Sequence, residues 1–189
     1  SFKNLKYIII DEQHRFGVEQ RAVIRTKGIS TDLLVMTATP IPRSLSMTLY
    51  GDMDVSYIRQ KPADRLAIKT LAFTEDRLPG IYRSIRNYIE QGRQIYYVLP
   101  LIEESDKTDL KSAVETYNYL KKDIFPDKEI SLIHSRITEN DKNDIMDRFK
   151  KGLIDILVST TVIEVGIDVP NASIMVIEHA ERFGLSQLH

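Results

Sequence analysis

The sequence contains no cysteine, which excludes structural disulfides and cysteine-based metal sites. Its longest apolar runs are about five residues, far below the roughly 20 that a membrane-spanning helix needs, so we expect no role in a membrane. The net charge is only −1, so no strongly basic surface indicates nucleic-acid binding and any such contact has to be local. The first residues lack both a Met and a signal-peptide pattern, and we expect the chain to be a segment of a longer protein.

The residues that are present predict an α/β protein with a parallel sheet. Apolar residues make up 42% and charged residues 28%, as in ordinary globular proteins. Short apolar strands alternate with helical stripes, which is typical of βαβ units. A polar, proline-containing stretch at 59–65 separates a short α/β piece from a fuller one. Strands are predicted at 7–11, 33–37, 55–58, 68–73, 95–99, 130–133, 154–158 and 174–177, with helices at 19–27, 42–49, 81–89, 110–120 and 138–149.

The most informative stretch is Tyr7–His14, in which an apolar run leads directly into Asp11-Glu12-Gln13-His14. An unbroken apolar run is typical of a strand buried on both faces of a parallel sheet. Acids at the end of such a strand lie at the carboxyl edge, where open α/β sheets bind ligands. Two adjacent carboxylates there suit a hard cation such as Mg²⁺ and the orientation of a water molecule. A solvated acidic turn is the simpler interpretation of these two residues alone.

Three further polar stretches follow predicted strands, namely Thr37-Ala38-Thr39-Pro40, Pro100–Ser105 and Ser159–Pro170. Hydroxyl groups and backbone N–H groups at strand ends can bind phosphate without a basic surface. Each stretch alone is a weak signal, because such turns commonly cap helices or fill loops.

In this order along the chain, Asp11–His14, Thr37–Pro40 and Thr160–Asp168 resemble motifs II, III and V of superfamily 2 helicases. The match is closest to the RecG family of bacterial branch-migration helicases. The residues that carry this resemblance are Asp11–Val18, Thr39–Arg43, Pro100–Ser105 and Glu181–His189. The Mfd family of transcription-repair coupling translocases is the alternative, but it typically reads Asp-Glu-Glu-Gln-Arg-Phe-Gly at the first motif and lacks the Pro-Leu-Ile-Glu-Glu-Ser stretch.

The resemblance implies a parallel-sheet, RecA-like (P-loop NTPase) architecture. Residues 1–60 would be the last part of the first lobe, 61–66 a linker, and 67–189 a nearly complete second lobe. The implied activity is that of an ATP-dependent DNA helicase that uses Mg²⁺ and acts on branched or forked DNA in recombination and repair. The implied location is the bacterial cytoplasm, at the nucleoid.

The resemblance also assigns roles to individual residues. Asp11 would hold Mg²⁺ through water, and Glu12 would orient and polarise the attacking water. Thr37 and Thr39 would couple the nucleotide state to the grip on DNA. The resemblance implies contacts with the nucleotide for Gln13, His14, Gly166 and Asp168. It implies contacts with DNA for Thr160, Thr161, Ser135 and Arg136.

The sequence departs from the family at two points. Residues 134–136 read His-Ser-Arg where the family usually has His-Gly-Arg, so a positive φ at Ser135 is disfavoured and the DNA contact of Ser135 and Arg136 is in doubt. The glycine spacing of a P-loop is absent from the sequence, and the arginine-rich motif VI would follow His189. We therefore expect the isolated chain to hydrolyse ATP negligibly and to self-associate through its first lobe.

Two interpretations from other classes stay open at the level of sequence. The chain could be a non-catalytic module that docks DNA or a protein partner. It could also be a metal-dependent hydrolase that uses Asp11 and Glu12 as a metal pair, although no third ligand has convincing spacing.

Overall fold

The computed structural model describes residues 5–11, 32–37, 54–60, 67–100, 106–160, 169–184 and 188. The chain divides into two compact units, Ser1–Arg65 and Leu66–Leu188. The assignment of these units to helicase lobes stays a prediction, and the predicted linker at 61–66 lies outside the described residues.

The first unit contains two parallel strands, β1 (Tyr7–Asp11) and β2 (Asp32–Met36), with Ile9 opposite Leu34 in the register. Both strands were expected from their apolar runs. The expectation that β1 is buried on both faces is wrong, because Ile10 is buried whereas Ile9 is 58% exposed. Successive side chains of a strand point to opposite faces, and only one face of this pair is covered in the structure.

The second unit is built on a four-stranded sheet in the order β4-β5-β3-β6. All three neighbouring pairs are parallel. The two middle strands consist almost entirely of buried residues, as expected for a parallel sheet covered on both faces. The strands are β3 (Ile95–Val98), β4 (Ile130–Ile133), β5 (Ile156–Ser159) and β6 (Ile174–Ile177).

Three α-helices accompany this sheet: α1 (Leu78–Glu90), α2 (Asp106–Tyr119) and α3 (Glu139–Lys150). Helices α1 and α2 pack on one face, where Ile85 and Ala113 join the core around Tyr97. Helix α3 packs on the opposite face, where Phe149 lies against Tyr96 with 5.0 Å between the ring centroids. Helix α2 continues into a π-helical turn at Leu120–Ile124.

A side-chain cap begins α3, and glycines with positive φ follow α1 and α3. The Asp141 N–H donates to Thr138 Oγ1 at 3.2 Å, and the Thr138 hydroxyl donates to the Asp141 carboxylate at 2.7 Å. Thr138 is therefore the N-cap of α3. Gly92 and Gly152 follow α1 and α3 with φ values of 79° and 72°, which glycine adopts without a steric penalty.

Two predicted strands are wrong. Residues 55–58 and 68–73 have no regular secondary structure, and their side chains are exposed, with Ile68 at 90%. Alternation of apolar residues permits a strand, but a strand also needs a partner with which to share hydrogen bonds. The predicted helices at 19–27 and 42–49 lie outside the described residues. No helix in the described segments is both long enough and apolar enough to cross a bilayer.

Candidate functional site

The strand order of the second unit predicts a ligand crevice beyond the carboxyl ends of β3 and β5. The chain that leaves β3 reaches β4 through α2, on one face of the sheet. The chain that leaves β5 returns to β6 past Val169, which packs with α3 on the other face. Where neighbouring parallel strands send their connections to opposite faces, the connecting loops diverge beyond the carboxyl ends, and open α/β sheets bind ligands there. The topology therefore places a candidate site at the ends of β3 and β5.

Backbone hydrogen bonds join the strand ends that border this crevice. The Leu99 N–H donates to the Ser159 carbonyl at 2.8 Å, and the Thr160 N–H donates to the Ile133 carbonyl at 3.3 Å. The ends of β3, β5 and β4 are thus held side by side. Thr160, predicted to contact DNA, lies at this edge but is only 4% exposed. Its location agrees with the expectation, and its role stays a prediction.

The turn after β4 carries the next pair of predicted DNA contacts, Ser135 and Arg136, and both are exposed. The Arg136 N–H donates to Nδ1 of His134 at 3.2 Å, and the Ile137 N–H donates to the His134 carbonyl at 3.2 Å. Among the described residues, His179 is the one non-glycine residue with a positive φ. Ser135 therefore replaces the family glycine without backbone strain, and its exposed hydroxyl group is available to a phosphate.

The first unit presents its own carboxyl edge. Asp11 stands opposite Met36 in the parallel register, and Thr37 follows Met36 directly. The predicted metal-binding acid and the first predicted coupling threonine are therefore brought to the same edge of β1 and β2. Asp11 is exposed.

A single exposed carboxylate at such an edge fits Mg²⁺, which keeps several of its waters and needs few protein ligands. Within the segments that the structure describes, no group of three or more His, Asp or Glu side chains could hold a metal ion by itself. Asp11 is therefore the one predicted metal ligand whose position the structure gives. The other predicted site residues lie outside the described part of the chain, namely Glu12, Gln13, His14, Thr39, Thr161, Gly166 and Asp168.

Sequence reasoning missed one polar pair at the carboxyl edge of the second sheet. Tyr97, fully buried in β3, donates its hydroxyl hydrogen to the carboxylate of Glu178, the first residue after β6. Burial, with the nearby Glu178 charge, raises the pKa of Tyr97 far above its ordinary value. Burial also raises the pKa of the neighbouring Tyr82 on α1. The signal for Glu178 was present in the sequence, because this acid follows the apolar run of β6 just as Asp11 follows the apolar run Tyr7–Ile10.

Known proteins are similar to this chain over its whole length. The protein-family model called helicase conserved C-terminal domain matches residues 80–189 of this chain. The chain is 53% identical over 188 residues to the ATP-dependent DNA helicase RecG of Thermotoga maritima, covering 100% of this chain and 24% of that protein. It is 52% identical over 189 residues to RecG of Bacillus subtilis, covering 100% of this chain and 28% of the relative.

A solved structure of RecG bound to a three-way DNA junction matches with a TM-score of 0.71 and 47% identity, covering 100% of this chain and 24% of that one. The chain thus spans about a quarter of the length of the curated relatives it matches. The resemblance to RecG and the parallel-sheet, RecA-like fold are confirmed. Because the family model matches residues 80–189, which is more than half of the chain, the chain belongs to the family of the helicase conserved C-terminal domain.

Proposed function

We propose that the chain is the motor segment of an ATP-dependent DNA helicase that acts on branched DNA in recombination and repair, in the bacterial cytoplasm at the nucleoid. The observation that carries the proposal is the carboxyl edge of β3, β5 and β4, where Thr160 is hydrogen bonded to the end of β4 and the exposed Ser135–Arg136 turn follows. A guanidinium and a hydroxyl beside a ligand-binding sheet edge suit the phosphates of a nucleic-acid backbone. Similarity to RecG proteins over the full chain supports the same function.

The proposed chemistry divides between the two units. Asp11 would hold Mg²⁺ through water, and the ion would neutralise phosphate charge at that edge. Glu12 would orient and polarise the attacking water, while Gln13, His14, Gly166 and Asp168 would contact the nucleotide. Thr37 and Thr39 would link the nucleotide state to DNA binding. This division follows the logic of phosphoryl transfer, in which positioning and charge neutralisation supply most of the catalysis.

The test of DNA binding compares Arg136→Ala with Arg93→Ala in the full-length gene product. Arg93 is an exposed arginine two residues before β3, at the amino end of that strand, and serves as the matched control. Arg136→Ala should weaken binding to a labelled three-way junction and should lower the salt dependence of log Kd by about one unit, because one phosphate contact is lost. Equal affinities and equal salt slopes for the two variants would contradict the assignment of Arg136.

The test of catalysis measures DNA-stimulated ATP turnover. In the full-length gene product, Glu12→Gln and Asp11→Asn should each reduce turnover by about a hundredfold or more. The isolated 189-residue chain should show negligible turnover, because its sequence contains no P-loop to bind the phosphates. DNA-stimulated turnover by the isolated chain that Glu12→Gln abolishes would overturn this view.

We also propose that the isolated chain self-associates through β1 and β2. Four neighbouring apolar side chains are exposed on one face of this pair, namely Tyr7, Ile9, Leu34 and Met36. A second copy offers an identical face, and an exposed apolar patch on a strand pair favours such contacts. Ile9→Lys should shift the sedimentation profile toward monomer, whereas Leu153→Lys, an equally exposed control in the second unit, should not. A monomeric wild-type chain at every concentration would refute self-association.

A further inference from the structure

The end of β6 is tied to the centre of the sheet by both the side chain and the main chain of Glu178. Its carboxylate accepts a hydrogen bond from the Tyr97 hydroxyl, and its N–H donates to the Val98 carbonyl at 3.0 Å. Tyr97 is 0% exposed, so the hydrogen bond lies away from water at the Tyr97 end. A buried phenol that donates to a carboxylate forms a strong, directional contact. Glu178 is therefore fixed relative to β3 at two points.

The residue that follows, His179, has an unusual backbone conformation. Its φ and ψ are 49° and 50°, in the left-handed region. A non-glycine residue is sterically disfavoured there, and such a conformation persists only where neighbouring contacts impose it. The chain then forms a 3₁₀ turn at Ala180–Arg182. The two contacts of Glu178 immediately precede this turn, and within the turn His179 Nδ1 lies 3.2 Å from Glu181 Oε1.

The same strand β3 also borders the candidate ligand crevice. Leu99 directly follows β3, and its N–H donates to the Ser159 carbonyl at the end of β5 at 2.8 Å. Residues 97–99 are therefore bonded to the β6 exit on one side and to the β5 exit on the other. A displacement of the β6 exit would be transmitted to the crevice through three consecutive residues at the end of β3.

We propose that Tyr97 and Glu178 are a positioning pair, which fixes the segment leaving β6 relative to the ligand crevice between β3 and β5. This inference rests on the proposed function, because it assigns the pair to the ATP-driven cycle at that edge. Neither residue touches the reacting atoms in this role. Burial raises the pKa of Tyr97, so the phenol remains protonated and a hydrogen-bond donor at neutral pH.

The substitutions that test the pair have a matched control on the same strand. Tyr97→Phe removes only the hydroxyl group, and Glu178→Ala removes the acceptor. Tyr96→Phe is the same chemical change one residue earlier, on the opposite face, where the ring packs on Phe149. Glu178→Gln keeps an oxygen that can accept from Tyr97, and it is the conservative variant that should restore function.

Turnover in the full-length gene product is the first readout. Tyr97→Phe and Glu178→Ala should each lower the kcat of DNA-stimulated ATP hydrolysis by about tenfold or more while the KM for ATP stays within about twofold, since misplacement of positioned groups affects the chemical step. Tyr96→Phe and Glu178→Gln should retain most of the wild-type kcat. Wild-type kcat in both Tyr97→Phe and Glu178→Ala would overturn the proposal, as would an equal loss in Tyr96→Phe.

Hydrogen exchange supplies the second readout, and it does not depend on activity. In Tyr97→Phe, the amides of Glu178 and Arg182 should exchange about tenfold faster, whereas the amides of β4 should be unchanged. If the wild-type protein shows no DNA-stimulated turnover, the proposed function fails. Exchange then still decides whether the pair fixes the β6 exit, because unchanged exchange at Glu178 and Arg182 refutes the pair directly.

Discussion

Gln94 provides a quantitative test of the core of the second unit. Its side chain is 4% exposed at the start of β3. Its amide nitrogen donates to the Phe149 carbonyl at 2.6 Å and to the Ile154 carbonyl at 2.7 Å. These bonds connect β3 to the end of α3 and to the segment before β5. Among the buried side-chain atoms that the structure describes, Gln94 Oε1 has no hydrogen-bond partner.

The two carbonyls differ in what they lose when Gln94 is replaced by Met. The Phe149 carbonyl keeps the N–H of Gly152 at 3.0 Å, so it loses only a second bond of about 1 kcal/mol. The Ile154 carbonyl would be left without the amide donor, which costs about 1–3 kcal/mol for a buried group. Removal of the unpartnered Oε1 offsets about 1–2 kcal/mol of this loss. We expect Gln94→Met to lower the free energy of unfolding by about 1–2 kcal/mol.

Gln94→Glu has nearly the same shape but replaces the donor by an acceptor. At about pH 8 it would bury a carboxylate against two carbonyl oxygens, and we expect a loss of at least about 3 kcal/mol. The pKa of the new carboxyl group should be raised in the folded state, and each unit of that rise corresponds to about 1.4 kcal/mol. The proton then favours the folded state, so the deficit should shrink as the pH falls toward about 5.

Urea unfolding followed by far-ultraviolet circular dichroism measures both substitutions. All three described α-helices belong to the second unit, so their signal reports on it. The reasoning is refuted if Gln94→Glu is as stable as the wild type at about pH 8, or if its deficit relative to Gln94→Met does not change with pH.

Three further predictions concern local features of the second unit. Thr138→Ala removes the cap of α3 and should lower the free energy of unfolding by about 1 kcal/mol, with Thr138→Ser restoring most of it in the same urea assay. Gly152→Ala should cost about 1 kcal/mol through backbone strain alone, because the added Cβ meets no atom within 4 Å; Gly152→Asn should cost less. The Arg86 guanidinium, aided by Lys128, lowers the pKa of Asp127 to about 2, and Arg86→Met should raise the NMR titration midpoint toward 3.8. Because that folded-state pKa is depressed, the stabilisation by this pair is present above about pH 4 and is lost as the pH falls through about 2.

Local signals predicted most of the second unit correctly. The capping pattern at Thr138 and the glycines that follow α1 and α3 each specify a backbone geometry within a few residues, and the structure has all of them. The apolar runs at β3 and β5 are buried as expected, because a strand in the middle of a parallel sheet has no polar face.

The errors concern features that depend on distant residues. The stretches 55–58 and 68–73 have the alternation of a strand but no partner strand in the described structure. The exposed face of β1 was missed because an apolar run does not reveal how many layers cover it.

The candidate site was predictable in its location but not in its internal contacts. Strand-end polarity was sufficient to place Asp11, Thr37 and Thr160 at carboxyl edges. The contact between Tyr97 and Glu178 joins residues 81 positions apart, and it depends on the register between β3 and β6. That register is set by the folded sheet and has no local signal in the sequence.

The strand order also has a consequence for how the protein is made. Both neighbours of β3 are synthesised after it, since Ile95 pairs with Ile156 and with Ile174. At about 5–20 residues per second, β3 waits roughly 3–12 s for its first partner. During that interval its apolar residues and both unpaired edges are open to other chains. Ribosome-bound chains that end before β5 should therefore depend on chaperones, and slow codons between β4 and β5 should increase aggregation.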